Sequence, residues 1–437
     1  MGEKLVNGVM TFVNTKAVRA LKDGIIFTLP LTMIGSIFLL LAQLPSPVIN
    51  NFLISIFGEN FRDPLFQVYR STFNIIALVA VVAIAYQYAK LCAHDGLNAG
   101  FLALVTFLIL APGSVTDKAS GVTIGNVIDK AWGGGQGMVA AIIIGLVVGA
   151  IYSKLLDMKL TIKMPDGVPE GVSKQFAALI PAGIIFTGAM LLYILFKSMD
   201  TNFMAWIYKV LQSPLQNITD SLPAIMFLSA LAPFFWLFGI HGTTIVNGVM
   251  DGILLANTAT NQAILDSGLA LTIANGAKIV TKQFWDNYII MTGTGITIGL
   301  VVAMLIAAKA AKNKTLGKIA LVPGLFNINE PVTFGLPIVM NPLIAIPYMV
   351  IPALAAFITY MAISIGFMPP FSGVMAPWTT PPIISGFIVT GWQGAVVQAL
   401  ILVLSVVIYF PFFKKQDAAD AKEEAAIHEE HLLHPAE

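Results

Sequence analysis

Charge is what this sequence has least of. Asp, Glu, Lys and Arg make up 11% of its 437 residues while 57% are hydrophobic, against roughly a quarter charged in a soluble domain. That scarcity excludes a water-soluble fold of this length. The formal net charge is only +1, and no face gathers the Lys and Arg needed to release counterions, which excludes nucleic acid and large polyanions as partners. Cysteine is nearly missing too: Cys92 stands alone, so no intrachain disulfide forms, and the thiol reads as a small buried residue. No Walker A sequence occurs, so ATP is not bound in the manner of a pump. Lys4, Lys16, Arg19 and Lys22 precede an apolar run that no small-residue cleavage site follows, which reads as a retained span and not a signal peptide.

What the chain does have is apolar length. Runs of about 20 residues, enough to cross about 30 Å of hydrocarbon, recur at 25–44, 72–91, 97–111, 137–152, 176–199, 222–240, 288–308, 348–367 and 392–413. The fold class is therefore an all-α polytopic membrane protein. The lysine groups at 154–174, 309–318 and 414–415 join the basic N-terminus on the cytoplasmic side by the positive-inside rule, so both termini are expected inside. Parity then requires the polar, Gly-rich stretch 242–287 to return across the membrane. It also requires an odd number of crossings between Lys318 and Trp392, a stretch broken by six prolines from Pro323 to Pro352. About ten transmembrane helices result. Non-helical backbone survives in lipid only when shielded by protein or a wet cavity, so 244–287 and 320–391 read as re-entrant hairpins around a substrate path.

Three regions follow. Residues 1–200, regular and packed by small residues, read as a scaffold or dimerisation half with short external loops at 45–71 and 112–136. Residues 201–413 read as the half that surrounds the substrate path, and 414–437 as a solvated, partly helical or disordered cytoplasmic tail rich in Ala, Glu and His. The tail's His428, His431 and His434 have helix-like spacing, but no cysteine or fixed carboxylate geometry supports a metal, and no cofactor is expected.

Polar residues in apolar surroundings mark the candidate site, because an ionisable group in the bilayer costs at least about 2.5–3.5 kcal/mol. In Trp236-Leu-Phe-Gly-Ile-His241-Gly242 an apolar helix ends on a histidine. There it either hydrogen-bonds a ligand hydroxyl or merely caps the helix; Asn247 lies just beyond. In Asn327-Ile-Asn329-Glu330-Pro331 the proline disfavours helix at Glu330. A carboxylate accepts two hydroxyl donors and an amide supplies both a donor and an acceptor, the inventory that sugar recognition requires. The competing role for Glu330 is an ion pair with Lys282. Trp378, followed by Thr379, and Trp236 read either as stacking platforms for a pyranose or as interfacial belt residues.

These segments, Gly239-Ile240-His241-Gly242, Asn327-Ile328-Asn329-Glu330-Pro331 and Pro377-Trp378-Thr379, resemble the membrane-embedded enzyme IIC of the bacterial phosphoenolpyruvate-dependent sugar phosphotransferase system, in its lactose, cellobiose and diacetylchitobiose group. The resemblance covers residues 5–413. It implies a multi-pass protein of the bacterial cytoplasmic membrane and a homodimer formed through its first five spans. It also implies a β-linked disaccharide in the second half, with His241 and Glu330 near the sugar C6 hydroxyl as catalytic candidates. Trp236, Gly242, Asn247, Asn327, Asn329, Trp378 and Thr379 are the substrate-binding candidates. Phosphate would come from a phosphocysteine on a separate soluble IIB protein charged by IIA, since Cys92 lies in the wrong setting and no folded domain of about 100 residues is present to supply those parts. The rival class is a proton-coupled sugar symporter, in which the same carboxylate carries a proton and the sugar enters unmodified. An intramembrane metal hydrolase lacks a third ligand and a nucleophile motif.

Overall fold

The computed structural model describes residues 8, 11–12, 14–42, 47–116, 121–165, 167–239, 241–336, 338 and 341–433. Lys4, Ile240, Pro337 and His434 lie outside them, and with His434 the full histidine triplet of the tail. From the N-terminus the helices are α1 (Lys16–Ile26), α2 (Leu29–Ala42), α3 (Pro47–Phe57), α4 (Asp63–Phe73), α5 (Ile76–Leu91) and α6 (Gly96–Leu110). Next come α7 (Met138–Asp157), α8 (Glu170–Ser198), α9 (Phe203–Thr219), α10 (Leu222–Trp236) and α11 (Gly242–Asp266). The chain ends with α12 (Ile298–Ala307), α13 (Ala311–Leu325), α14 (Glu330–Gly335), α15 (Pro342–Ser364), α16 (Ile384–Thr390) and α17 (Trp392–Leu433). A short β-hairpin pairs Ser114–Thr116 with Thr123–Gly125.

Among the described residues, six helical stretches are long and apolar enough to cross a membrane: Lys16–Ala42, Asn60–Leu91, Gly135–Asp157, Glu170–Ser198, Leu343–Ser364 and Trp392–Ala426. A seventh arises if α9 and α10, bent by 77°, form one span, and α6 and α12 are shorter apolar helices. Three segments depart from their expected form. The region 45–71 holds α3 and α4 instead of a short loop. The polar stretch after His241 is a continuous 25-residue helix, α11, where irregular backbone was expected; its Asn257, Thr258, Asn261 and Gln262 are buried, so they need not interrupt it. The run 288–308 is helical only from Ile298. Before that come a π-turn at Trp285–Ile289 and turns with left-handed φ at Thr292, Gly293, Gly295 and Ile296.

The chain divides into two compact units, Met1–Ile218 with Asn247–Ser267, and Thr219–Val246 with Gly268–Glu437. In the first, α5 is the central helix and packs on α1, α6 and α7. Its Ala77, Val81, Ala85 and Ala89 form an i, i+4 stripe against Ala99, Ala103 and Phe107 of α6 and Ala140, Ile144 and Val148 of α7. Lipid offers no hydrophobic drive between helices, so they associate by close van der Waals packing of small residues. A Cβ at Gly149 would lie 2.7 Å from Cβ of Tyr88, closer than side chains allow.

The second unit owes part of its order to the segment after Phe413, which is helical, one of the forms expected of it, but has Asp417 and Asp420 buried where a solvated end was expected. The first amides of α13 have no intrahelical acceptors, and acidic side chains of α17 supply them. Asp417 accepts from the N–H groups of Lys309 (2.7 Å) and Ala310 (3.2 Å). Glu424 accepts from those of Ala311 (2.8 Å) and Lys312 (3.0 Å). Asn313 donates to Asp417 and Asp420. Burial works against the Lys312 charge, but the Asp420 and Glu423 carboxylates beside it hold its pKa above the ordinary lysine value.

Asp417→Ala strips this cap. The expected loss is about 1–2 kcal/mol, read as a lowered melting temperature in detergent with faster amide hydrogen exchange at Lys309–Asn313. Unchanged exchange there would mean that α13 does not depend on α17.

Candidate functional site

The candidate site lies in the second unit, where helices break. Apolar α10 stops at Trp236, and a turn with Gly239 at φ +71° leads to His241, which stands at the entrance of α11. The imidazole is therefore an N-terminal cap, not the C-terminal residue of α10 that the sequence suggests. Its Nδ1 accepts from the Thr244 N–H (3.3 Å) and meets the Thr244 hydroxyl at 2.8 Å. With a backbone donor on Nδ1, the neutral ring carries its proton on Nε2. Gly242 is required by the fold: a Cβ there would run into the Ala232 carbonyl of α10.

Trp236 joins the two halves of this constellation. Its ring lies 4.7 Å from the His241 ring and 6.0 Å from Phe334, nearly perpendicular to the latter. Phe334 is four residues after Glu330 on α14, so carboxylate and ring share one helix face. His241 packs in this aromatic cluster and Glu330 stands one helical turn from its Phe334; both side chains are exposed. Trp236 itself is 5% exposed, and its indole N–H has no acceptor among the described residues. A buried donor left unpaired costs about 1–3 kcal/mol.

The broken segments are held together by two asparagines. Asn327, itself at φ +66°, accepts through Oδ1 from the Thr292 N–H (2.6 Å) and donates through Nδ2 to the carbonyls of Trp378 and Thr380. Asn329 donates to the Thr294 carbonyl at 2.8 Å, and the Thr294 hydroxyl bonds that of Thr243 beside His241. Asn327 is accordingly occupied by backbone, and Asn329 in part. The Trp378 indole is half exposed and Thr379 half-buried. Asn247 lies further along α11, in the other unit. Lys282 does not lock Glu330: it is buried and pairs with Asp286 at 2.6 Å.

The sequence reading missed Phe334, Thr292 and Thr294. For the threonines a signal was present, since Thr292-Gly293-Thr294-Gly295 alternates polar and flexible residues inside an otherwise apolar run. Chemically, the arrangement offers a carboxylate to accept hydroxyl hydrogens, an imidazole to accept or donate a proton, and aromatic faces to cover C–H surface.

Residues 22–352 match the family described as "Phosphotransferase system, EIIC". The lichenan permease IIC component of Bacillus subtilis (strain 168) is 37% identical over 93% of this chain and 90% of its own length. The cellobiose-specific EIIC component of Geobacillus stearothermophilus is 36% identical over 93% and 91%. Among solved structures, the transporter ChbC, the IIC component from the N,N'-diacetylchitobiose-specific phosphotransferase system, superimposes with a TM-score of 0.91. It is 38% identical and matches over 97% of this chain and 99% of that one.

Asn327→Ala should remove three hydrogen bonds at about 1 kcal/mol each, lowering the melting temperature of the purified protein, whereas Glu330→Gln should leave it nearly unchanged. Equal melting of the two variants would refute the clamp role of Asn327.

Proposed function

The chain belongs to the EIIC family of the phosphotransferase system, and from that premise we propose that it carries a β-linked disaccharide or short oligosaccharide into the cell and presents its C6 hydroxyl to a separate IIB protein. Lichenan, cellobiose and diacetylchitobiose, named for the relatives above, are all β-linked saccharides of gluco configuration, which favours a substrate of that class. The observation that carries this reading is Trp236 set against both the His241 ring and Phe334, with Glu330 one turn from Phe334. A pyranose lying on the aromatic cluster would have its hydroxyls within reach of carboxylate and imidazole, and would supply the acceptor that the Trp236 indole N–H lacks.

The reaction proposed is transfer of phosphate from a phosphocysteine of IIB, previously charged by IIA. The P–S bond breaks, the sugar C6 oxygen forms a bond to phosphorus, the cysteine leaves as thiolate, and the hydroxyl proton passes to Glu330 or His241. A well-placed proton acceptor contributes about 10²- to 10⁴-fold. The phosphorylated product is too polar to return. Ten crossings with both termini cytoplasmic, a dimer formed through the first unit, and movement of the sugar-binding unit during alternating access complete the proposal. Nothing in the geometry favours a proton-coupled symporter.

Vesicles supplied with IIA, IIB and phosphoenolpyruvate should accumulate cellobiose phosphorylated at C6. Glu330→Gln and His241→Ala should each slow this by about 10²-fold or more. Normal rates in both variants would overturn the site assignment, and accumulation of free sugar would indicate symport.

A further inference from the structure

The first unit contains a cavity of about 610 Å³ that plays no part in the site described above. Its volume falls within the range of about 300–1,000 Å³ usual for small-molecule sites. Tyr69 and Phe73, an aromatic pair 4.9 Å apart and almost fully buried, back one wall, and the half-buried Tyr208 presents its ring on another. The Asn74 and Gln136 side chains also line it, and neither amide has a hydrogen-bond partner in the protein among the described residues. Aromatic faces together with uncommitted amides are a saccharide-binding inventory, offering C–H surface contact and paired donors and acceptors. No cluster of cations is present to suit an anion; Lys130 is accompanied by Asp266.

The cavity is also preformed. Gln212 donates to the Gly135 carbonyl at 2.9 Å and accepts from the Val139 N–H at 3.4 Å, fixing the glycine loop that forms the cavity floor. A Cβ at Gly135 would collide with Ala259 of α11, so the loop lies directly on that helix.

Its side of the membrane follows from charge. The cavity lies at the starting ends of α5 and α7, next to Asn74 and Gln136. The far ends of these helices carry Lys90 and Lys154, and contacts there bring in Lys16 (to Cys92, 3.2 Å) and His94 (to Asp157, 2.7 Å). With Arg19, Lys22, Lys159 and Lys163 nearby in sequence, the far ends are the cytoplasmic ones and the cavity opens outside.

We propose that this cavity is a second, outer saccharide site, filled from the external medium by the same β-linked sugar that the protein transports. The inference rests on the functional reading above, and it assigns to the first unit a binding role in addition to scaffolding. An outer site raises the sugar concentration at the entry face and lowers the external concentration needed for uptake.

The test uses intact cells expressing full-length Gln136→Cys with Cys92→Ser, labelled by a membrane-impermeant maleimide. Labelling from outside should be slowed several-fold by cellobiose and not by sorbitol, and protection should persist when Glu330→Gln is added. Asn74→Ala with Tyr208→Ala should raise the KM for cellobiose uptake about five-fold, the loss of roughly one hydrogen bond, with maximal rate unchanged. External labelling that cellobiose leaves unaffected, while uptake and phosphorylation proceed normally, overturns the outer site alone. Protection that disappears with Glu330→Gln also overturns it, since the sugar would then be acting from the second unit. Wild-type cells that fail to phosphorylate cellobiose overturn the functional reading, and this inference falls with it.

Discussion

Backbone that leaves the helix at membrane depth must find every hydrogen-bond partner within the protein, because hydrocarbon provides none. In the second unit side chains meet part of that demand: Gln398, Gln283 and Asp220 bond broken backbone, and two asparagines tie the loops around the candidate site. Asn327 ties the loop at Thr292 to the loop at Trp378–Thr380, and Asn329 ties Thr294 to the start of α14. The left-handed residues Thr292, Gly293, Gly295 and Ile296 are held by these bonds together with those of Tyr409 to the Gly295 carbonyl and Thr297 to the Thr292 carbonyl, which over-determine the loop. Glu330 sits directly after the clamp, so its position is inherited from it. Substituting the Asn327 carboxamide would therefore move the Glu330 carboxylate as well.

The same principle operates at the other end of α13. There the donors are amides of a helix start and the acceptors are Asp417 and Glu424 of α17. The helix that carries the chain from Lys309 and Lys312 to Asn327 is thus fastened at both ends, by carboxylates at its start and by the asparagine clamp at its finish. Between these anchors the aromatic cluster of Trp236, Phe334 and His241 gives the site an apolar face and a polar rim. That division suits a ligand with C–H surface on one side and hydroxyls at its edge.

The two units solve the problem of cohesion differently. The first relies on small residues, which let α5 approach α1, α6 and α7 closely and gain dispersion energy without polar groups. The second accepts broken helices and repays them with directed hydrogen bonds, which define shape more sharply and also create chemistry.

Much of this was legible in the residues. Apolar runs reveal the helical membrane class because their length maps directly onto bilayer thickness. Glu330 beside Pro331 and His241 beside Gly242 stood out because ionisable groups are costly among apolar neighbours. Other features could not be read that way. Thr292–Thr297 lies in an apolar run, yet it is a loop because of Asn327 and Asn329, 35 residues away. The polar helix α11 is continuous with its amides buried, and the end of α17 is docked where α13 needs acceptors more than 100 residues earlier in the chain. Hydropathy is a local property that sets which stretches enter the membrane. Hydrogen-bond partnership is non-local, and only the folded chain decides which carboxamide becomes a clamp and which carboxylate caps a helix start.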